Sequence, residues 1–126
     1  LLDECFHDFL EEGSVHTLLP RVKENPKLFV LRAFTKMYGM AGLRLGYGIC
    51  SDTELIRRME QVTQPWNVSV PAQAAGIAAA REQEFVAVSR QMITEQKNYC
   101  LQAWRQRGRK YTVRRQTIFF PGSTGI

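Results

Sequence analysis

Short apolar runs alternate along the chain with stretches whose apolar residues recur at helical spacing. Leu1 and Leu2 read as the end of a buried strand, and Asp3 opens the loop after it. Ser14 is suited to cap a short helical turn reaching Leu19, where Pro20 limits it. Asn25-Pro26 is turn chemistry. The nearly unbroken apolar run LFVLRAF (28–34) predicts a strand covered on both faces. A second run, LRLGYGIC (43–50), predicts another strand, with glycines that permit close backbone approach. Ser51-Asp52-Thr53-Glu54 has the S-x-x-E form of a capping box. The helix it opens carries its apolar face on Leu55, Met59 and Val62, and Pro65 ends it. Pro71 suits the first turn of another helix, PAQAAGIAAARE. From about Glu84, residues Phe85, Val88, Met92, Tyr99 and Ala103 recur as the packing face of one long helix, with Gly108 as its stop. Residues 111–113 and 117–120 read as strands before the turn Pro121-Gly122. Strands alternating with helices predict an α/β layer, parallel where a helix makes the connection.

Composition narrows the function classes. At 126 residues, 44% hydrophobic and 23% charged, the chain has the make-up of one ordinary globular domain. No apolar run approaches the roughly 18 residues of a membrane span, and the opening residues carry no signal-like pattern. No membrane partner is expected. Three cysteines (Cys5, Cys50, Cys100), odd in number and in no CxxC pair, support neither a disulfide framework nor a zinc site. His7 and His16 have no obvious ligand partners, so no metal is expected and a reducing cytoplasm is the simplest setting. The net charge of +5 is concentrated in Arg105, Arg107, Arg109, Lys110, Arg114 and Arg115. That cluster lacks regularly interleaved aromatics and reads as a solvated face, so no nucleic-acid partner is expected.

Candidate chemistry gathers around RAFTKMYGMAGLRLGYG (32–48). Lys36 follows a buried strand, and Arg44 would stand near it if the loop folds back. Partial burial and a cationic neighbour both favour the neutral, nucleophilic amine. The plain alternative is a solvent-facing lysine in a turn, and spacing alone leaves both open.

Three features together resemble the pyridoxal-phosphate enzymes of fold type I, the class I/II aminotransferase superfamily. Thr35-Lys36 followed by Gly42-Leu43-Arg44-Leu45-Gly46-Tyr47 resembles the family's cofactor-lysine motif, and LLDECF resembles its strand-end D-E-A-[YF]. The resemblance implies that Lys36 forms the Schiff base with pyridoxal 5'-phosphate. It implies further that Arg44 and Thr35 hold the phosphate and that Asp3 keeps the ring nitrogen protonated. DECFHDF, NPKLFVLRAFTK, GLRLGYG and QPWNVS (around Trp66) are most similar to threonine-phosphate decarboxylases of cobalamin biosynthesis, with histidinol-phosphate aminotransferases as near relatives. The latter tend to have tyrosine at the position of Phe6 and serine at that of Thr35.

The resemblance covers about residues 1–106. It implies an α/β fold, with residues 1–82 as the C-terminal part of a large cofactor-binding domain, a mostly parallel sheet with helices. Residues 83–126 would be a linker helix and the truncated start of a small domain. A small amino-acid or amino-acid-phosphate substrate is implied, with a homodimer for the full-length protein. Ala33 stands where many members place a hydroxyl on the phosphate, Phe6 lacks a hydroxyl for the cofactor's phenolic oxygen, and Arg114-Arg115-Gln116-Thr117 replaces a proline-serine, alanine-asparagine pattern. The half that precedes Asp3 in complete members is absent, as is their substrate-carboxylate arginine, so this piece alone is expected to be inactive. A basic interaction module and a non-catalytic remnant that associates with another chain are the readings from other classes.

Overall fold

The computed structural model describes residues 1–10, 16–107, 112–114 and 117–119. Leu2–Asp3 (β1) lies parallel to Phe29–Ala33 (β2), and β2 is antiparallel to Gly46–Cys50 (β3), giving the strand order β1-β2-β3. The β1-to-β2 connection is long enough to return the chain for a parallel pairing, whereas β2 and β3 are joined by a loop that reverses it. The sheet is therefore mixed. Val30, in mid-β2, is completely buried, and Leu10, Val22, Met37 and Ala72 complete the described apolar core. Thr112–Arg114 (β4) and Thr117–Phe119 (β5) pair antiparallel as a separate two-stranded sheet. The Ser14 cap, the Gly108 stop, the turn at Pro121-Gly122 and most of the 105–115 basic cluster lie outside the described residues or side chains.

Thr53–Val62 (α1) starts one residue later than the S-x-x-E pattern suggests. Its cap is Asp52, whose carboxylate accepts from the Leu55 N–H at 3.0 Å. Ser51 instead donates to the Val22 carbonyl at 2.6 Å, tying the start of the helix to the turn before β2. Glu54 pairs with Arg57 and Arg58 on the exposed helix face rather than closing a box. Val70–Ala79 (α2) is capped by Ser69, with Pro71 in its first turn as expected. Gly76 lets α2 approach the Leu45 side chain so closely that a Cβ there would lie 2.5 Å from it.

Gln83–Gln106 (α3) is the long helix. The expected packing stripe is only partly its inward face: Val88, Met92 and Tyr99 are exposed, Ala103 is half-buried, and Phe85, though exposed, stacks on Tyr38. The half-buried side carries Val86, Arg90, Thr94, Lys97, Leu101 and Trp104 instead. The reason is what α3 lies against. It crosses the polar turn His7–Phe9, so the register that wins supplies a donor, Arg90, to a backbone carbonyl.

Across the sheet the Phe29 ring lies over Gly48, and a Cβ at Gly48 would fall 2.3 Å from two ring carbons. Gly48→Ala is expected to cost about 1–3 kcal/mol through overpacking, read as a lower urea midpoint. An unchanged midpoint would mean the ring swings aside freely.

Candidate active site

The parallel pairing of β1 and β2 sends both following loops out of the same end of the sheet, the end where α/β proteins build their sites. Asp3 is the last residue of β1, in register with Leu31. Beyond β2 the loop that carries Lys36 is closed at its mouth, where the Phe34 N–H donates to the Leu45 carbonyl at 3.1 Å. Within it the Gly39 N–H donates to the Lys36 carbonyl at 3.1 Å and Gly39 takes φ +63°. That left-handed turn suits glycine. Arg44 follows the turn Ala41–Leu43 and is itself left-handed, at φ 54°. A non-glycine residue held there is a strained outlier of the kind that gathers at functional sites.

Asp3 is exposed at the strand end and accepts from the Cys5 N–H at 2.8 Å. Hydrogen bonds from the Cys5 side chain and backbone hold its carboxyl below the usual carboxylate range. Lys36 is also exposed, with Nζ 5.2 Å from the centroid of the Phe6 ring, a cation–π approach. The partial burial expected of its stem is not observed. Arg44 turns its guanidinium back to donate to the Ala41 carbonyl at 3.2 Å. Thr35 is half-buried on the same loop.

Cys5 registers how the two loops meet. Burial pushes its thiol up to about 11, its hydrogen bond and charge interaction with Asp3 push the same way, and the Lys36 and Arg32 charges oppose them. The two loops meet where Lys36 Nζ lies over the Phe6 ring, three residues past Asp3. Asp3 and Lys36 thus stand on adjoining loops, while Thr35 and Arg44 share the Lys36 loop. Since thiolate is the reactive form, raising the thiol from 9.0 to about 11 should slow iodoacetamide alkylation of Cys5 at pH 8 by about a hundredfold relative to the unfolded chain. Equal rates in buffer and in urea would contradict it.

Sequence reasoning missed what supports Asp3. Arg32, on β2, donates from Nε (3.1 Å) and Nη2 (2.8 Å) to Glu4, from Nη1 to Asp8 (2.9 Å) and from Nη2 to Thr17 (3.1 Å). Glu4 also accepts from the Thr17 hydroxyl and the Leu18 N–H, each at 2.8 Å. An arginine interrupting an apolar strand was the one available signal, because a buried guanidinium requires carboxylates.

The fold is that of part of the pyridoxal-phosphate-dependent aminotransferases. The chain belongs to the aminotransferase class I and II family, which it matches over residues 1–123. It is 39% identical over 101 residues to a protein of Caldanaerobacter subterraneus subsp. tengcongensis provisionally named a threonine-phosphate decarboxylase, covering 80% of this chain and 27% of that one. Histidinol-phosphate aminotransferase of Brevibacillus brevis is 42% identical over 86 residues, covering 68% of this chain and 23% of the relative. The crystal structure of histidinol-phosphate aminotransferase from Clostridium acetobutylicum superposes with TM-score 0.82 at 25% identity, covering 90% of this chain and 34% of that one. The chain thus spans about a quarter to a third of the length of these relatives. The family uses pyridoxal 5'-phosphate. The donor set here fits that group: a carboxylate held ionised, a solvent-accessible amine, and a hydroxyl and a guanidinium for an anion.

Proposed function

We propose that this chain supplies the covalent anchor and part of the cofactor cage of a pyridoxal-phosphate enzyme acting on amino-acid phosphates, most like a threonine-phosphate decarboxylase. The observation that carries the reading is the contact of Lys36 with Phe6, which sets the Lys36 loop against the loop that Asp3 opens. When bound, the cofactor supplies an electron-withdrawing ring that takes up the electron pair of a bond broken at the substrate α-carbon. Asp3, kept ionised by Cys5, holds a proton on the ring nitrogen. Lys36 would be the amine that holds the cofactor and would carry a proton to or from the substrate α-carbon. Thr35 and Arg44 bind the phosphate through a hydroxyl and a charge-assisted hydrogen bond. Phe6 lies against Lys36 and, with no hydroxyl, leaves the cofactor's phenolic oxygen to other groups.

Histidinol-phosphate-type transamination is the second reading, supported by the Brevibacillus brevis relative. Phe6 and Thr35, where that branch tends to have tyrosine and serine, favour the decarboxylase. Residues 1–82 would belong to the large domain and 83–126 to the linker and small domain of a cytoplasmic homodimer. The chain alone turns over no substrate, because the groups above make only one side of a cage. The test is to incubate the chain with pyridoxal phosphate, reduce with borohydride and map the modified peptides. Labelling of Lys36 well above Lys23 and Lys27 is expected. Uniform labelling of all three would overturn the assignment.

A further inference from the structure

We propose that α3 is a strut that fixes the spacing between the Asp3 loop and the Lys36 loop, with Phe85 and Arg90 as positioning residues that touch neither reacting group. The proposal rests on the pyridoxal-phosphate reading of Asp3 and Lys36. Two contacts leave the first half of α3 and reach opposite sides of the site. Phe85 stacks on Tyr38, centroids 6.0 Å apart and planes 15° from parallel. Tyr38 lies two residues beyond Lys36, and its ring packs against Phe34 at 5.2 Å, on the other side of Lys36 in the chain. Arg90 donates from Nε to the Asp8 carbonyl. The Asp8 carboxylate in turn accepts from Arg32 Nη1 at 2.9 Å, and Arg32 holds Glu4, the residue next to Asp3.

The two footholds are five residues apart, about 7.5 Å along a helix that cannot stretch. Among the described residues the two loops also touch directly, where Lys36 lies over Phe6, but that contact joins two loop residues and not a rigid element. β1 and β2 set where the loops begin, but Lys36 lies three residues past the end of β2, beyond the reach of the sheet ladder. The two footholds also converge physically. Burial first, then the Asp8 and Tyr47 charges, push the Tyr38 hydroxyl up while the Arg90 charge opposes them. Asp8, Phe34, Tyr38 and Tyr47 line one cleft of about 200 Å³ between the two loops. A bond between a cofactor and Lys36, with Asp3 at the far end of the same ring, tolerates errors of only about 0.5 Å. A helix gripping both loops is a means of holding that tolerance.

The test uses the whole chain, with Phe85→Ala, Arg90→Ala and the conservative variants Phe85→Tyr and Arg90→Lys. Amide hydrogen exchange is read without cofactor, and the borohydride-trapped yield at Lys36 is read with pyridoxal phosphate. Phe85→Ala is expected to speed exchange at Gly39 and Met40, and Arg90→Ala at Phe9 and Leu10. Each change should be about tenfold, the scale of one lost contact or charge-assisted hydrogen bond. Trapping at Lys36 should fall several-fold in both, while β2 and β3 amides keep their protection and the conservative variants restore both readouts. Unchanged exchange in the two loops overturns the strut. Exchange rising equally in β2 and β3 overturns it too, since the helix would then only stabilise the fold. If the parent chain shows no preferential labelling of Lys36, the cofactor reading fails, and the exchange pattern still decides whether α3 braces the loops.

Discussion

Arg32→Ala should be the most damaging single substitution to the fold. Arg32 is 9% exposed and its main partner, Glu4, is 6% exposed. Truncation leaves the Glu4 carboxylate with only the Thr17 hydroxyl and the Leu18 N–H, and Asp8 loses its hold on β2. Breaking a buried ion pair from one side costs about 3–5 kcal/mol, because the remaining charge stays buried. Against a total of about 5–15 kcal/mol for a typical domain, that is enough to unfold a large fraction of the chain. The loss should appear in urea titrations as a collapsed midpoint.

The same network sets an acid sensitivity. Burial pushes the Glu4 carboxyl up, but the Leu18 N–H, the Thr17 hydroxyl and the Arg32 charge outweigh it, leaving the group below its ordinary 4.5. A depressed carboxyl contributes stability that is fully present above the unfolded value and is lost as pH falls through the folded one. The parent chain should therefore lose stability below about pH 4.5, and Arg32→Ala should lose less over that range, although the Leu18 N–H and the Thr17 hydroxyl, the larger lowering influences, still act on Glu4. Equal pH slopes in the two proteins would show that Arg32 does not govern Glu4.

Lys36→Ala should abolish the borohydride-stable adduct at that position and the absorption band of bound cofactor with it. Lys36→Arg should do the same. Arginine keeps a cation available to the Phe6 ring but cannot give up its proton, so it offers no nucleophile. Comparing the two separates the charge of the side chain from its chemistry. Asp3→Asn is the complementary change. It leaves the amine intact, so labelling of Lys36 should persist. The protonation of the ring nitrogen should be lost, and in a complete enzyme turnover would fall far more than attachment does. If Lys36→Arg retained a reducible adduct at wild-type yield, the attachment point would lie elsewhere.

The candidate chemistry was legible because it is local. Thr35-Lys36, Gly42-Leu43-Arg44 and the aspartate after two leucines are contiguous strings whose spacing is itself the signal. Pro71 in the first turn of α2 was equally readable, since it acts within the turn that holds it. The start of α1 was misread by one residue for the opposite reason. Ser51 is a good local cap, but a bond to Val22, 29 positions away, takes its hydroxyl, and Asp52 caps instead. The face of α3 was partly misread likewise. Periodicity finds an apolar stripe, yet the helix seats Arg90 on a carbonyl 82 positions away.

By itself, then, the chain's order of residues determined the main strands and helices and the family, and it named the four residues proposed for the cofactor. Each depends on neighbours a few positions apart. Only the tertiary structure decided that β3 turns back antiparallel, that Arg32 gathers Glu4, Asp8 and Thr17, and that the Lys36 amine lies over the Phe6 ring. Those depend on groups 13 to 30 residues apart in the chain. Which distant carboxylate a buried guanidinium finds is fixed by the geometry of the packed sheet, not by any local preference.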